Sequence, residues 1–299
     1  MDGELSIHMT SLQIHSESFR ELLAEFLGTF VLAGLGFSTN ANLFLKNMPT
    51  LSSFVGPWIW GLALTSAIYV CGGVSGGHVN PSVTLGLASV GKLSWSKVPH
   101  YFIGQYIGAF VGSALTYTVY REAINEAVAA NTSVSHNISR IFIPVPANEV
   151  SDVARFIDQT VCCAFFLLII NAITDERNMS CSKGLVPLVI GVTDLTLMLF
   201  SFGYNAGAPI NPALDISPRF LTWIVGWDTK VFSFDKMGHY WIPLVGCGVG
   251  GILGSWTYRL FIENHWPDEL FERPPTETKL SANMEYFFND KTPNRVHPI

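Results

Sequence analysis

Long apolar runs recur along the chain at about 22 to 39, 54 to 71, 100 to 119, 156 to 173, 184 to 202 and 240 to 262, with polar or charged stretches between them. Each approaches or reaches the ~20 residues that a helix needs to cross a bilayer core, so the pattern predicts six spans with both termini on one side. Two shorter apolar runs, about 79 to 90 and 211 to 225, are left over. At 1.5 Å per residue a dozen helical residues reach only ~18 Å, about half a membrane. The chain reads as one all-α membrane domain over about 20 to 262, flanked by polar tails at 1 to 19 and 263 to 299.

Composition agrees with a membrane solvent. Hydrophobic residues make up 49% and charged residues 13%, about half the charged share of a soluble domain. A net charge of −6 without a basic stripe argues against nucleic acid as a partner. Cys71, Cys162, Cys163, Cys181 and Cys247 show neither a CxxC nor a Cys/His ligand spacing, and read as buried thiols rather than a metal site. The first 19 residues lack the apolar core of a secretory signal, so insertion is expected to begin at the first span.

The chain also repeats itself. "GHVNPSVTLG" (77 to 86) is echoed by "APINPALDIS" (208 to 217), and "GQYIGAFVGSALTY" (104 to 117) by "GCGVGGILGSWTY" (246 to 258). The second pair shares Gly-x3-Gly-x3-Gly-Ser, and small residues four apart let helix backbones approach closely in lipid. Each half then holds three spans and one half-helix: repeat one at about 20 to 121, repeat two at about 155 to 262, and a linker at 122 to 154. Because three is odd, the second half is inverted, a known way to build a pathway through a membrane.

In Asn-Pro the Asn suits a helix N-cap, and proline at the first helical position loses only an amide that had no partner. Asn80-Pro81 and Asn211-Pro212 therefore read as two helix starts that inverted symmetry brings together near the bilayer centre. Two positive dipole ends, each worth about half a charge, and the Asn80 and Asn211 carboxamides then face one lumen. Such a junction passes neutral polar solutes and repels cations and protons. The preceding Gly76, Gly77, His78 and Val79, and Gly207, Ala208, Pro209 and Ile210, are expected to be non-helical and to line the pore with carbonyls.

Other polar residues take supporting roles. Glu25, inside an apolar run, needs partners in the protein interior and is expected to hold the first half-helix loop through backbone hydrogen bonds. Gln159 is expected to do this in the second half, with His78 bracing its own loop and Asp215 satisfying backbone donors at its helix start. No carboxylate pair, nucleophile with base or phosphate loop stands in the spans, so no catalytic site is expected.

At these residues the chain resembles the aquaporin family, through "AEFLGT" (24 to 29), "SGGHVNPSVTLG" (75 to 86), "GQYIGAFVGS" (104 to 113) and "NPALDISPR" (211 to 219). Asp215, "DERN" at 175 to 178, the 122 to 154 connection and "GW" at 226 to 227 resemble its aquaglyceroporin branch. The resemblance covers about 20 to 262. It implies the hourglass fold of six transmembrane helices and two re-entrant half-helices, a homotetramer with one pore per subunit, and no cofactor. The implied activity is passive diffusion of glycerol, water and small neutral solutes such as urea.

The chain departs from the family pattern at the outer constriction. Ser82 stands where the family usually has Ala, a small change, and Leu214 where the resemblance implies an Arg that donates to hydroxyls and repels cations. Leucine removes that charge and its five donors. Trp60 keeps the aromatic wall, while Leu199 and Ala208 fall where the branch often has Gly and an aromatic. Glycerol would slide its carbon edge along Trp60, its hydroxyls depending on backbone carbonyls and Asn205.

A secondary transporter also uses inverted repeats and broken helices; it needs ionisable groups at the substrate site, where this sequence offers asparagines. A water-selective channel and a structural adhesion role are the other readings. With the N-terminus inside, Lys92, Lys97, Arg177 and Lys183 fall on the cytoplasmic side, against Arg121, Arg140 and Arg155 outside, a weak positive-inside bias. The glycosylation sequons at Asn131 and Asn137 then lie outside the cell and that at Asn178 within it, for a protein of the plasma membrane.

Overall fold

The computed structural model describes residues 13–130, 138–144, 147, 150–179, 181–227, 232 and 240–267. The sequons at Asn131 and Asn137, and most of both tails, lie outside the described residues. The described residues form helices α1 (Glu17–Leu45), α2 (Pro49–Ser75), α3 (Pro81–Ser89), α4 (Val98–Ala130), α5 (Asp152–Thr174), α6 (Val186–Thr196), α7 (Pro212–Ile224) and α8 (Trp241–Phe261), with no strand among them. Each apolar run of the sequence has its helix, and the two short runs become the short helices α3 and α7.

Among the described residues three helices are both long and apolar enough to cross a membrane: Glu17–Leu45, Ser53–Ser75 and Asp152–Thr174. The α4 and α8 helices, at 33 and 21 residues, have the length, but Gly, Ser, Thr and Tyr dilute their hydropathy. The fifth run is completed differently. After α6 the backbone goes over into a π-helical turn, Leu197–Ser201, closed by the Phe202 amide on the Leu197 carbonyl at 2.8 Å. Such a turn adds a residue to the helix and shifts the register of its side chains. Leu199 lies within this turn.

The distribution of side chains is that of a protein in lipid. Leu35, Leu62, Val119, Phe165 and Phe261 are exposed, whereas Glu25, Gln105, Gln159, Asp215 and Arg219 are completely buried. Apolar groups outward and polar groups inward is the arrangement that a hydrocarbon solvent favours.

Glycines set the packing, as their spacing predicts. A Cβ at Gly104 would fall 2.6 Å from the Leu22 carbonyl oxygen and one at Gly112 2.7 Å from that of Phe30, so α4 lies directly on the α1 backbone. Gly250 and Gly254 seat α8 on α5 at the Thr160 and Ala164 carbonyls. Each half-helix packs on the last helix of the opposite half: Gly86 of α3 on Gly251 of α8, and Ser217 of α7 donating to the Tyr106 carbonyl of α4 at 2.8 Å. The two repeats are interlocked through these exchanges. Gly108→Leu, which drives a side chain into the Phe26 carbonyl, is expected to cost at least the 1–3 kcal/mol of core overpacking. Size-exclusion chromatography in detergent reads it as loss of the monodisperse peak, and an unchanged peak with unchanged melting temperature would show the α1–α4 contact to be dispensable.

Two boundaries differ from the expectation. The α4 helix runs on to Ala130, past the boundary at 121, because the sequence after it stays free of Gly and Pro. The segment after 263 is not a bare tail at its start: Glu263–His265 form a 3-10 turn that is tied to the helix ends.

Candidate functional site

The two Asn-Pro steps meet as their chemistry predicts. Asn80 and Asn211 have extended backbones and cap α3 and α7, their side-chain oxygens accepting from the Ser82 amide at 2.8 Å and the Ala213 amide at 3.0 Å. Their amide groups cross between the halves: Asn80 Nδ2 donates to the Ile210 carbonyl at 3.3 Å and Asn211 Nδ2 to the Val79 carbonyl at 2.8 Å. A carboxamide has two N–H donors, so each Asn keeps one for the lumen after making its crossed bond.

The approach to each Asn is a strained mirror of the other. Val79 and Ile210, the residues before the two Asn, have φ of 45° and 22°, and Ala208 has 48°. Residues with a Cβ persist in this region only where surrounding bonds hold them. In the first half the holder is Glu25, as expected. Its carboxylate accepts from the His78 amide at 3.0 Å, the Val79 amide at 2.7 Å, Ser75 Oγ at 2.5 Å and Gln105 Nε2 at 2.7 Å. His78 Nδ1 lies 3.1 Å from Thr84 Oγ1 and its ring sits against Tyr101, which supports its bracing role.

In the second half the brace is not Gln159. Its amide donates to Asp158 at 3.2 Å and its oxygen accepts from the Cys247 thiol at 3.6 Å, so it does not hold the 207 to 210 loop. One residue along a helix is a turn of about 100°, and Asp158 faces the loop instead, taking Asn205 Nδ2 at 3.0 Å. The Cys163 thiol donates to the Ile210 carbonyl at 3.4 Å. Asn205 is thus a loop brace, absent from the residues lining the cavity, and not the hydroxyl donor expected of it. Asp215 likewise spends its carboxylate on Arg219, at 2.7 and 2.9 Å, with both side chains fully buried, rather than on the amides of its helix start.

A continuous cavity of about 1710 Å³ runs past the junction. Asn80, Asn211, Gly76, Gly77, His78, Gly207, Ala208, Pro209 and Ile210 line it, as predicted; Val79 does not, being fully buried with its carbonyl committed to Asn211. Trp60, Leu199, Ala208 and Leu214 all line the same cavity. The Trp60 ring stands edge-on to Phe37 at 5.2 Å, and its Nε1 lies 3.4 Å from Asn40 Oδ1. Leu214 packs against both buried clusters of the protein, one around Leu64 and Phe166, the other around Phe37 and Phe142. The outer wall is therefore largely apolar.

A model of the major intrinsic protein family matches residues 13–258. The chain belongs to that family. It is 36% identical over 286 residues to aquaporin-9 of Rattus norvegicus, covering 94% of this chain and 96% of the relative. To aquaporin-10 of Homo sapiens it is 38% identical over 263 residues, covering 87% and 86%. The X-ray structure of the aquaglyceroporin from Plasmodium falciparum superposes with a TM-score of 0.73 at 30% identity, over 82% of this chain and 97% of that one. A major intrinsic protein is an integral membrane channel that works passively, and not an enzyme.

Two parts of this channel carried the resemblance in the sequence but were given no role there. On the opposite side from the N-terminus, Ile138, Ile141, Phe142 and Ile143 are buried, Asn40 donates to the Ile141 carbonyl at 3.1 Å, and Phe142 packs on Phe37 and Trp227. The apolar "IFI" within a polar linker was the available signal. On the N-terminal side, Asp175 of the "DERN" stretch gathers Arg177 Nε at 2.9 Å, Tyr258 Oη at 3.0 Å and Trp266 Nε1 at 3.1 Å. Arg177 reaches Glu263, which also pairs with Lys92 at 3.4 Å beside the pore mouth.

Burial pushes the Asp175 carboxyl up, but the Arg177 side chain and amide, Trp266 and Tyr258 together outweigh it and hold the group at about 2 rather than 3.8. A depressed carboxylate contributes stability that is complete above its ordinary value and drains away as pH falls through its folded value. Melting temperature in detergent is therefore expected to drop as pH falls from about 4 toward 2, and Asp175→Asn to flatten that limb while costing about 1–3 kcal/mol at neutral pH. An acid limb identical in the variant would remove Asp175 as its source.

Proposed function

We propose that this major intrinsic protein passes water and glycerol-like solutes, urea among them, down their gradients. The reading is carried by the crossed Asn80 and Asn211 amides, each with one donor to spare, set beside a cavity whose outer wall is Trp60, Leu199, Ala208 and Leu214. A polyol lays its carbon edge on Trp60 and Leu214 and hands its hydroxyls along the carbonyls of Gly207, Ala208 and Pro209 to the two amides. The positive ends of α3 and α7 orient each water so that its oxygen faces them, which interrupts a proton wire at that point. The similarity to proteins named aquaporin-9 and aquaporin-10, and to an aquaglyceroporin structure, supports the same solutes.

The chain is read as a six-span domain over about 20 to 262 with cytoplasmic termini in a plasma membrane, modified at Asn131 or Asn137 and assembled as a homotetramer. The apolar outward faces that include Leu35, Val119 and Phe165 meet lipid and neighbouring subunits.

Stopped-flow light scattering on proteoliposomes tests the reading. Fast shrinkage under an impermeant sugar, and fast re-swelling under inward glycerol, are expected at rates well above protein-free vesicles. Shrinkage without re-swelling would make the pore water-selective, and neither would remove the channel reading of the cavity.

A further inference from the structure

Asp194 lies in the middle of α6 (Val186–Thr196), within an otherwise apolar run, and the seating of this helix decides where its carboxylate points. Gly191 and Leu195 lie against Gly61 of α2, where a Cβ on Gly61 would fall 2.5 Å from the Gly191 carbonyl oxygen. With that stripe on α2, the next one, Val186, Ile190, Asp194 and Met198 at intervals of four, borders the cavity. Asp194 is 9% exposed and makes no hydrogen bond or ion pair among the described residues. Nor are its oxygens among the described polar atoms that are sealed away without a partner, so its exposure is to the cavity. A carboxylate kept inside a membrane protein with its acceptors open to a lumen is a site for something that passes through it.

The surroundings select what that is. Ile190 and Leu197, on either side of Asp194, belong to the same buried cluster as Val79 and Ile210, the residues that precede Asn80 and Asn211. The carboxylate and the Asn-Pro junction therefore share one stretch of lumen, where the two helix starts contribute about half a positive charge each. Among the described residues the charged side chains that line the cavity are Lys92 at the mouth on the N-terminal side, Arg140 on the turn Ile138–Ile141 at the opposite mouth, and Asp194 between them. A cation thus meets a positive group on either approach and again at the junction. A neutral solute does not, and because an ionised carboxylate only accepts hydrogen bonds, the occupant that suits Asp194 is a neutral donor.

We propose that Asp194 is a specificity-determining residue of the pore, which favours urea and other neutral amides that carry two N–H groups side by side. Two carboxylate oxygens and a planar fork of two N–H groups match in spacing and direction, as in an Arg–carboxylate pair. Urea has the same fork, two NH2 groups on one trigonal carbon, without the charge. Its carbonyl oxygen is left to accept from the N–H that Asn80 or Asn211 keeps for the lumen. Glycerol, whose hydroxyls turn freely, presents no rigid fork. Leu199 of the outer constriction lies about one and a half turns further along the chain, so Asp194 adds a choice between solutes that the apolar outer wall cannot make. The inference rests on the channel reading above.

Acetamide, in which a methyl group replaces one NH2 of urea, is nearly equal to it in size and has no such fork, so the pair separates fit from bonding. The test measures re-swelling of proteoliposomes of the full-length protein under inward urea, acetamide or glycerol, each corrected for protein-free vesicles. The wild type is expected to pass urea faster than acetamide, and Asp194→Asn to lower the urea-to-acetamide ratio roughly tenfold, the weight of one charge-assisted hydrogen bond. Asp194→Glu, which keeps both oxygens, is expected to retain a ratio above that of Asp194→Asn. On the wild type alone, urea at equal concentration on both sides is expected to slow glycerol re-swelling more than acetamide does, a readout independent of whether a variant folds. Glycerol flux without a urea preference, or without this competition, overturns the site and leaves the channel reading intact. An unchanged ratio in an Asp194→Asn protein that still carries glycerol overturns it as well, and absence of every flux overturns both readings.

Discussion

Leu214→Arg is expected to cut cation flux about thirtyfold and to narrow the range of neutral solutes. A unit charge about 8 Å from a passing cation, at an effective dielectric of ~20, costs it about 2 kcal/mol, which is a factor of about thirty. The site lies on the cavity wall in the first turn of α7, between the two buried clusters, and has no charge of its own. The new side chain would project five donors into a passage otherwise walled by Trp60, Leu199 and Ala208. Glycerol, which can accept from those donors, is expected to lose less flux than a bulkier or less polar solute. Leu214→Met is the control for size without charge, and melting temperature in detergent reports whether both variants fold. If Leu214→Arg leaves both the solute profile and the cation flux where they were, this residue does not set the character of the outer constriction.

The features legible from the sequence were those that local chemistry decides. Asn80-Pro81 and Asn211-Pro212 start helices whatever surrounds them, because the cap and the missing amide are properties of two adjacent residues. Gly104, Gly108 and Gly112 announce a close contact because nothing else fills that spacing so thinly. Glu25 had to be satisfied inside the protein, and the amides of its loop were the donors within reach.

What the sequence left hidden is the choice among near-equivalent partners. Gln159 and Asp158 are neighbours on α5, and only the rotation of that helix makes Asp158 the residue that meets Asn205. Asp215 sits at a helix start, where amides compete for it, but Arg219 one turn on lies on the same face and wins with two charged bonds. Asp194 is a single acidic letter within an apolar run. Its significance depends on which face of α6 borders the cavity, and the π turn that follows shifts the register on which that face would be counted.

The largest loss of stability is expected at Glu25. Glu25→Ala removes one carboxylate and strands the His78 and Val79 amides, while Ser75 Oγ is left a long bond to the Cys71 carbonyl and Gln105 Nε2 keeps only Thr84, at a site with no exposure to water. Each buried donor left unmet costs about 1–3 kcal/mol, so even partial relaxation leaves a penalty comparable with the whole stability of a domain. The damage does not stay local. Val79, held at φ 45° by this carboxylate, presents the carbonyl that receives Asn211 Nδ2, so a loop that relaxes also uncouples the two Asn-Pro starts. Glu25→Ala is accordingly expected to yield no monodisperse protein in detergent. Glu25→Gln, which keeps one oxygen but turns an NH2 toward donors, is expected to fold with a lowered melting temperature and reduced glycerol flux. A Glu25→Ala protein that elutes as wild type, melts within a few degrees of it and conducts normally would mean that the loop holds its shape unaided, and that the positive φ at Val79 is not a strain the carboxylate restrains.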